Sequence, residues 1–167
     1  MASHPQFFLK TAPLPGEPPS SFTNLYLRHH GSGIDSIVLT TSPPKFIKAH
    51  LLDKRIFFTS ASHPGREWGL TLRTDGGQRA GWEKVEIVED GGSDGLVFSK
   101  GTAGEGDGKG EEEVLEFEEE VEGEKVWKGW MACDWNHGYP QLFWVTDMLK
   151  SELPPFCQRV RIVREML

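Results

Sequence analysis

Glycine and proline interrupt this chain so often that little room is left for a long helix. Nineteen glycines and eleven prolines are spread over 167 residues. Each glycine frees the backbone for turns, and each proline fixes φ and removes a hydrogen-bond donor. The stretches between are short, and several alternate apolar and polar side chains, the pattern of half-buried strands. Trp68, Leu70 and Leu72 alternate with Gly69, Thr71 and Arg73. Val85 and Ile87 oppose Trp82, Lys84, Glu86 and Val88, and Phe156, Gln158, Val160 and Ile162 oppose Cys157, Arg159, Arg161 and Val163. The last of these reads as a strand with one apolar and one mostly basic face.

Further strands are expected over Gln6–Lys10, Phe22–Arg28, Ile37–Thr40, Phe46–Leu52, Arg55–Thr59 and Leu96–Phe98. Asp53-Lys54 is placed as a two-residue hairpin turn. Val114, Leu115 and Phe117 interrupt an acidic run and read as a charged edge strand, while Thr146–Glu152 reads as one helical turn stopped by Pro154-Pro155. About a dozen short strands at spacings of roughly 8 to 15 residues specify an all-β barrel or sandwich. An internal echo favours the barrel. Leu25 to Leu51 runs strand, His30-Gly31 turn, apolar strand, Pro43-Pro44, strand; Ala132 to Ile162 repeats that order with His137-Gly138 and Pro154-Pro155. The middle third supplies strands without a His-Gly turn. Twelve strands in three such units make a β-trefoil-like barrel, which is the expected fold, with a β-sandwich as the alternative.

The length suits a single all-β domain spanning 1–167, with a disordered acidic loop expected over 101–113. The net charge of −7 is concentrated: eleven acids and two lysines between Glu105 and Lys125 give −9, leaving +2 for the rest. A calcium site there would need an ordered Asp/Asn spacing that the run lacks. Such a distribution implies neither nucleic acid nor an anionic membrane as partner, and no apolar run is long enough for a membrane span. Met1-Ala2-Ser3-His4 has no charged stretch before an apolar core. The chain is therefore expected to be cytoplasmic if Met1 is its native start, and secreted if Met1–Ser3 is a cloning remnant. Oligomeric state is not legible.

Large rigid side chains gather between Trp127 and Trp144, which holds four of the six tryptophans. Trp130, Leu142 and Trp144 suit barrel packing. The tip supplies the residue types of a sugar site: acid and amide groups for vicinal hydroxyls, and aromatic faces for the apolar side of a ring. The candidate ligand-binding residues are Asp134, Trp135, Asn136, His137, Tyr139 and Gln141. The bland alternative is that Asp134 and Asn136 satisfy turn amides and Trp135 fills the barrel mouth. Cys133 and Cys157 are a candidate disulfide. A nucleophile built on Cys133 and His137 is disfavoured because neighbours on a strand point to opposite faces. His29, His30 and His137 would form a metal site only if their turns met. No phosphate loop, nucleophile elbow or zinc-protease motif is present, so no cofactor, metal or catalytic residue is assigned.

The block Gly129-Trp130-x-x-Cys133-Asp134-Trp135-x-His137-Gly138-x-Pro140-Gln141-Leu142-Phe143-Trp144 resembles a family of uncharacterised fungal proteins of similar length, many of which look secreted. The resemblance extends to Asn24-Leu25-Tyr26-Leu27, Val38-Leu39-Thr40, Gly81-Trp82-Glu83-Lys84-Val85 and the late Cys157. The chain is expected to differ from that family in lacking a leader, and it carries a long acidic insertion. The resemblance brings no activity with it. The expected function is a non-catalytic binding module for a glycan, with a protein-interaction module such as an inhibitor or effector as the alternative and an enzyme as the third.

Overall fold

The computed structural model describes residues 4–31, 34–45, 47–60, 62–74, 81–101, 112–134, 138–147 and 153–167. These form fourteen strands and, among the described residues, no helix, hence none long and apolar enough to cross a membrane. In chain order they are β1 (Phe7–Ala12), β2 (Tyr26–Gly31), β3 (Ile34–Thr40), β4 (Ile47–Leu52), β5 (Arg55–Ser60), β6 (Glu67–Leu72) and β7 (Trp82–Glu89). There follow β8 (Leu96–Gly101), β9 (Glu112–Phe117), β10 (Glu120–Val121), β11 (Glu124–Lys125), β12 (Trp130–Asp134), β13 (Pro140–Val145) and β14 (Cys157–Met166).

Antiparallel pairing in the order β1-β4-β5-β6-β7-β3-β13-β12-β14 returns to β1 and closes a nine-strand barrel. Two stacked sheets would leave edges instead of closing, so the sandwich alternative fails. The extra strands attach to this ring: β2 pairs with β1 and β3, β9 pairs with β14, and β8 pairs with β9 while packing on β5. Three hairpins, β2–β3, β6–β7 and β12–β13, meet one another through β3–β7, β7–β13 and β13–β3. The small β10–β11 hairpin, turning at Glu122-Gly123, stands apart from the main sheet.

The alternation read from the sequence puts most of its apolar members inside; Phe156, which precedes β14, is instead 40% exposed. Leu70, Leu72, Val85, Ile87, Val160 and Ile162 join Phe7, Leu9, Ile37, Leu39, Ile56 and Phe58 in one buried cluster. Asp53 and Lys54 both adopt positive φ, at 48° and 59°, as the two-residue turn between β4 and β5 requires.

Three local expectations need correction, those for Phe22–Arg28, for Val114–Phe117 and for the basic face of the last strand. The strand expected over Phe22–Arg28 begins only at Tyr26, because Thr11 captures the preceding residues. Its hydroxyl donates to the Phe22 carbonyl (2.6 Å) and accepts from the Leu25 amide (3.0 Å), and its carbonyl accepts from the Asn24 amide (2.8 Å). The strand containing Val114, Leu115 and Phe117 is not an edge. It lies between β8 and β14, with Leu115 fully buried, because its apolar residues are more valuable in the core than its acids are at a rim. Within the loop expected over 101–113, Gly101, Glu112 and Glu113 are strand residues, and 102–111 lie outside the described residues. The last strand is buried over Val160–Val163 on both faces, with Arg161 Nη2 on Glu112 (3.0 Å) and Nε on the Pro13 carbonyl (2.6 Å). The helical turn expected over Thr146–Glu152 falls mostly outside the described residues; Thr146 and Asp147 are not helical.

One buried titratable group ties stability to pH. His50 on β4 stacks between His4 and Phe57, with Glu67 Oε1 at 3.7 Å. Burial, helped by His4 and opposed by Glu67, holds its pKa below the ordinary value of 6.5. The unfolded chain therefore takes up a proton that the folded chain resists. His50's contribution is whole above about pH 6.5 and is lost as pH falls through the folded-state value. Urea titrations between pH 7.5 and 5 are expected to show this decline in the native protein and a flatter profile in His50→Phe. Equal slopes would remove His50 as the cause.

Candidate functional site

The expected tip divides sharply. Asp134, at the end of β12, is exposed and pairs in register with Pro140, and its amide donates to the Phe156 carbonyl (2.9 Å). Trp135, Asn136 and His137 lie outside the described residues. Tyr139 is half exposed, at 50%. Gln141 is buried in register between Cys133 and Val38, and its Nε2 makes no hydrogen bond among the described residues.

The hairpin carrying this tip is anchored on both faces. Trp130, Ala132, Leu142 and Trp144 face the barrel core. Met131, Cys133, Phe143 and Val145 form a second cluster covered by Trp82, Leu153 and Cys157. Cys133 and Cys157 stand directly opposite across β12 and β14 and are disulfide-bonded. Cys133 is 1% exposed and offers no thiolate, so the Cys133–His137 nucleophile has no attacking atom. Closing a loop of 24 residues in the unfolded chain stabilises the fold by about 3 kcal/mol. Cys133→Ala/Cys157→Ala is expected to lower the thermal midpoint by about 6 °C or more, measured by circular dichroism with and without reductant. Reductant should shift the native protein and leave the variant unmoved.

A cavity of about 780 Å³ opens where the β2–β3 hairpin, the β4–β5 pair and the Tyr139 tip converge. Its floor is apolar, made by Ile47, Phe58 and Ile87. Trp68 forms a wall with its ring nearly perpendicular to that of His63 (82°, centroids 5.9 Å apart). Hydroxyls come from Thr40, Thr41, Ser42, Ser60 and Ser62, and positive or protonatable groups from Arg28, His29, His30, Lys45 and His63. Pairing between β2 and β3 shifts register between His29 and Gly31, a bulge of the kind that re-aims side chains. His29 is held toward Asp35 (Nε2 to Oδ1, 3.4 Å). Of the six residues singled out from sequence, Tyr139 alone lines this space among the described residues.

Sequence reasoning missed Arg28, Lys45, Ser60, His63 and Trp68 because they come from separate strands and connections and carry no common spacing. One signal was present. Residues at both His-Gly pairs of the echo meet here: His30 and Gly31 line the cavity, and so does Tyr139, which follows Gly138. Among the described residues no group of three His, Cys, Asp or Glu is arranged to hold a metal ion.

The family described as "Domain of unknown function (DUF7907)" matches residues 4–166. The chain belongs to this family. The match takes in the cavity, the disulfide and every strand from β1 to β14. No curated protein and no solved structure matches the chain significantly. Membership in DUF7907 therefore names no ligand, and the chemistry must come from the cavity itself.

Proposed function

We propose that this member of DUF7907 is a non-catalytic, lectin-like binding module that takes a short saccharide in the cavity between the β2–β3 hairpin and Tyr139. The observation carrying the reading is the composition of that cavity: an aromatic wall at Trp68, an apolar floor and at least five hydroxyl side chains in about 780 Å³. That volume lies within the range of small-ligand pockets. A sugar presents an apolar ring face and a rim of hydroxyls, which such a lining matches group by group. The tip proposed as ligand-binding comprises Asp134, Trp135, Asn136, His137, Tyr139 and Gln141, of which Tyr139 is the described residue that lines the cavity.

The same reading includes the finer fold. Three hairpins in mutual contact, and six further strands following one another as β1, β4, β5, β8, β9 and β14, support a β-trefoil with β10–β11 inserted in its last third. The fungal origin suggested by the Gly129–Trp144 block belongs to this proposal as well.

A panel of neutral and acidic saccharides, titrated against intrinsic tryptophan fluorescence, tests the function. At least one is expected to change emission saturably, and Trp68→Ala is expected to weaken that binding by about tenfold or more. A panel that leaves emission unchanged, together with a blank glycan array, sinks the reading. Specific recovery of a protein partner under the same conditions would favour the inhibitor or effector alternative.

A further inference from the structure

We infer that the cavity is built for an acidic saccharide, a pyranose bearing a carboxylate or a sulfate, with Arg28 and Lys45 receiving the anionic group; the inference rests on the saccharide-binding reading above. The first observation is charge. The chain carries −7 overall, yet no aspartate or glutamate lines the cavity among the described residues, while Arg28 and Lys45 do. Several cations elsewhere are matched with carboxylates, among them Lys10 with Glu165, Lys54 with Glu118, Arg66 with Glu89 and Arg161 with Glu112. Arg28 and Lys45 have no such partner among the described residues. A concave site with low-dielectric walls and one sign of charge concentrates ions of the opposite sign. Arginine adds a planar fork that meets a carboxylate or sulfate through two parallel hydrogen bonds.

The second observation is what surrounds those cations. A site for a bare anion needs no aromatic wall or apolar floor, and Trp68, Phe58 and Ile87 supply both. A site for a neutral sugar needs no unpaired cations. An acidic peptide would be expected to extend a free strand edge, but β3 is paired to β2 on one side and to β7 and β13 on the other. The combination of ring face, hydroxyls and cations fits one molecule that carries all three complements.

The test compares glucuronic and galacturonic acids and galactose 6-sulfate with glucose and galactose, by fluorescence and calorimetric titration of the full chain at low salt. The acidic sugars are expected to bind about tenfold or more tightly than their neutral parents, the difference that one charge-assisted hydrogen bond supplies. The gap should shrink several-fold in 0.5 M sodium chloride. It should close in Arg28→Gln/Lys45→Gln, both exposed positions, with an unchanged circular dichroism spectrum and thermal midpoint. Carboxylated against sulfated sugars identifies which anion is preferred, and either supports the inference. Equal binding of acidic and neutral sugars overturns it and leaves the saccharide reading standing. Sodium sulfate competing as well as galactose 6-sulfate overturns it in favour of a simple anion site, and tight binding of a poly-glutamate peptide overturns it in favour of a peptide. Silence toward every sugar removes the saccharide reading itself.

Discussion

Trp144→Ala is expected to destabilise the protein by about 4 kcal/mol, lowering the urea midpoint with little change in m-value. Trp144 is 1% exposed on β13, the strand that pairs with β12, β3 and β7. Its ring lies edge-on to Phe117 (6.1 Å), and its Nε1 donates to the Arg73 carbonyl (3.0 Å). Truncation leaves a large void in a close-packed core and strips a backbone carbonyl of its donor, so the cavity and desolvation costs add. Trp144→Phe keeps most of the ring and loses the donor. About half the effect is expected from it, and circular dichroism rather than fluorescence should follow both because a fluorophore is removed. A loss below about 1 kcal/mol in Trp144→Ala would mean that this strand is not the hub the pairing makes it.

Gly69→Ala is expected to cost about 3 to 4 kcal/mol despite adding only a methyl group to a strand. The segment after β7 crosses directly over Gly69, so a Cβ there would lie 2.1 Å from the Gly91 carbonyl oxygen and 2.4 Å from the Gly92 Cα. These are backbone atoms that cannot rotate away. The crossing is also pinned by hydrogen bonds, from the Ser93 amide to the Leu70 carbonyl (2.9 Å) and from the Leu72 amide to the Ser93 hydroxyl (2.9 Å). The cost should appear in chemical denaturation, with Gly65→Ala as a comparison: its φ is +86°, so alanine there meets backbone strain, but a Cβ meets nothing within 4 Å. If Gly69→Ala is no worse than Gly65→Ala, the crossing yields more easily than its hydrogen bonds imply.

These two positions show how unevenly the structure could be read in advance. Trp144 stood out because a large apolar ring in the run Leu142-Phe143-Trp144-Val145 has its favourable place in the core. Gly69 did not, since in the alternation of Trp68 to Arg73 it occupies a position that any small or polar residue would satisfy. Its requirement comes from Gly91 and Gly92, more than twenty residues away. Thr11 behaves similarly: a threonine in a Lys-Thr-Ala-Pro stretch carries no sign that its hydroxyl will bind Phe22 and Leu25 and delay the start of β2 to Tyr26. The candidate site follows the same rule. Tyr139 was found because it sits beside a recognisable turn, whereas Trp68, Ser60 and Arg28 enter the cavity only through the convergence of several strand pairs.

By itself the sequence determined what depends on neighbours in the chain. Frequent glycine and proline exclude long helices, period two sets which side chains point inward, and Asp53-Lys54 turns between two β-rich runs. Tertiary structure alone decided what depends on closure. It fixed which strands meet around the ring, placed Val114–Phe117 in the core, set Cys133 against Cys157, and gathered cations, hydroxyls and one tryptophan into a cavity. Pairing between distant strands is chosen by the combined burial of the whole core, and no local pattern encodes that sum.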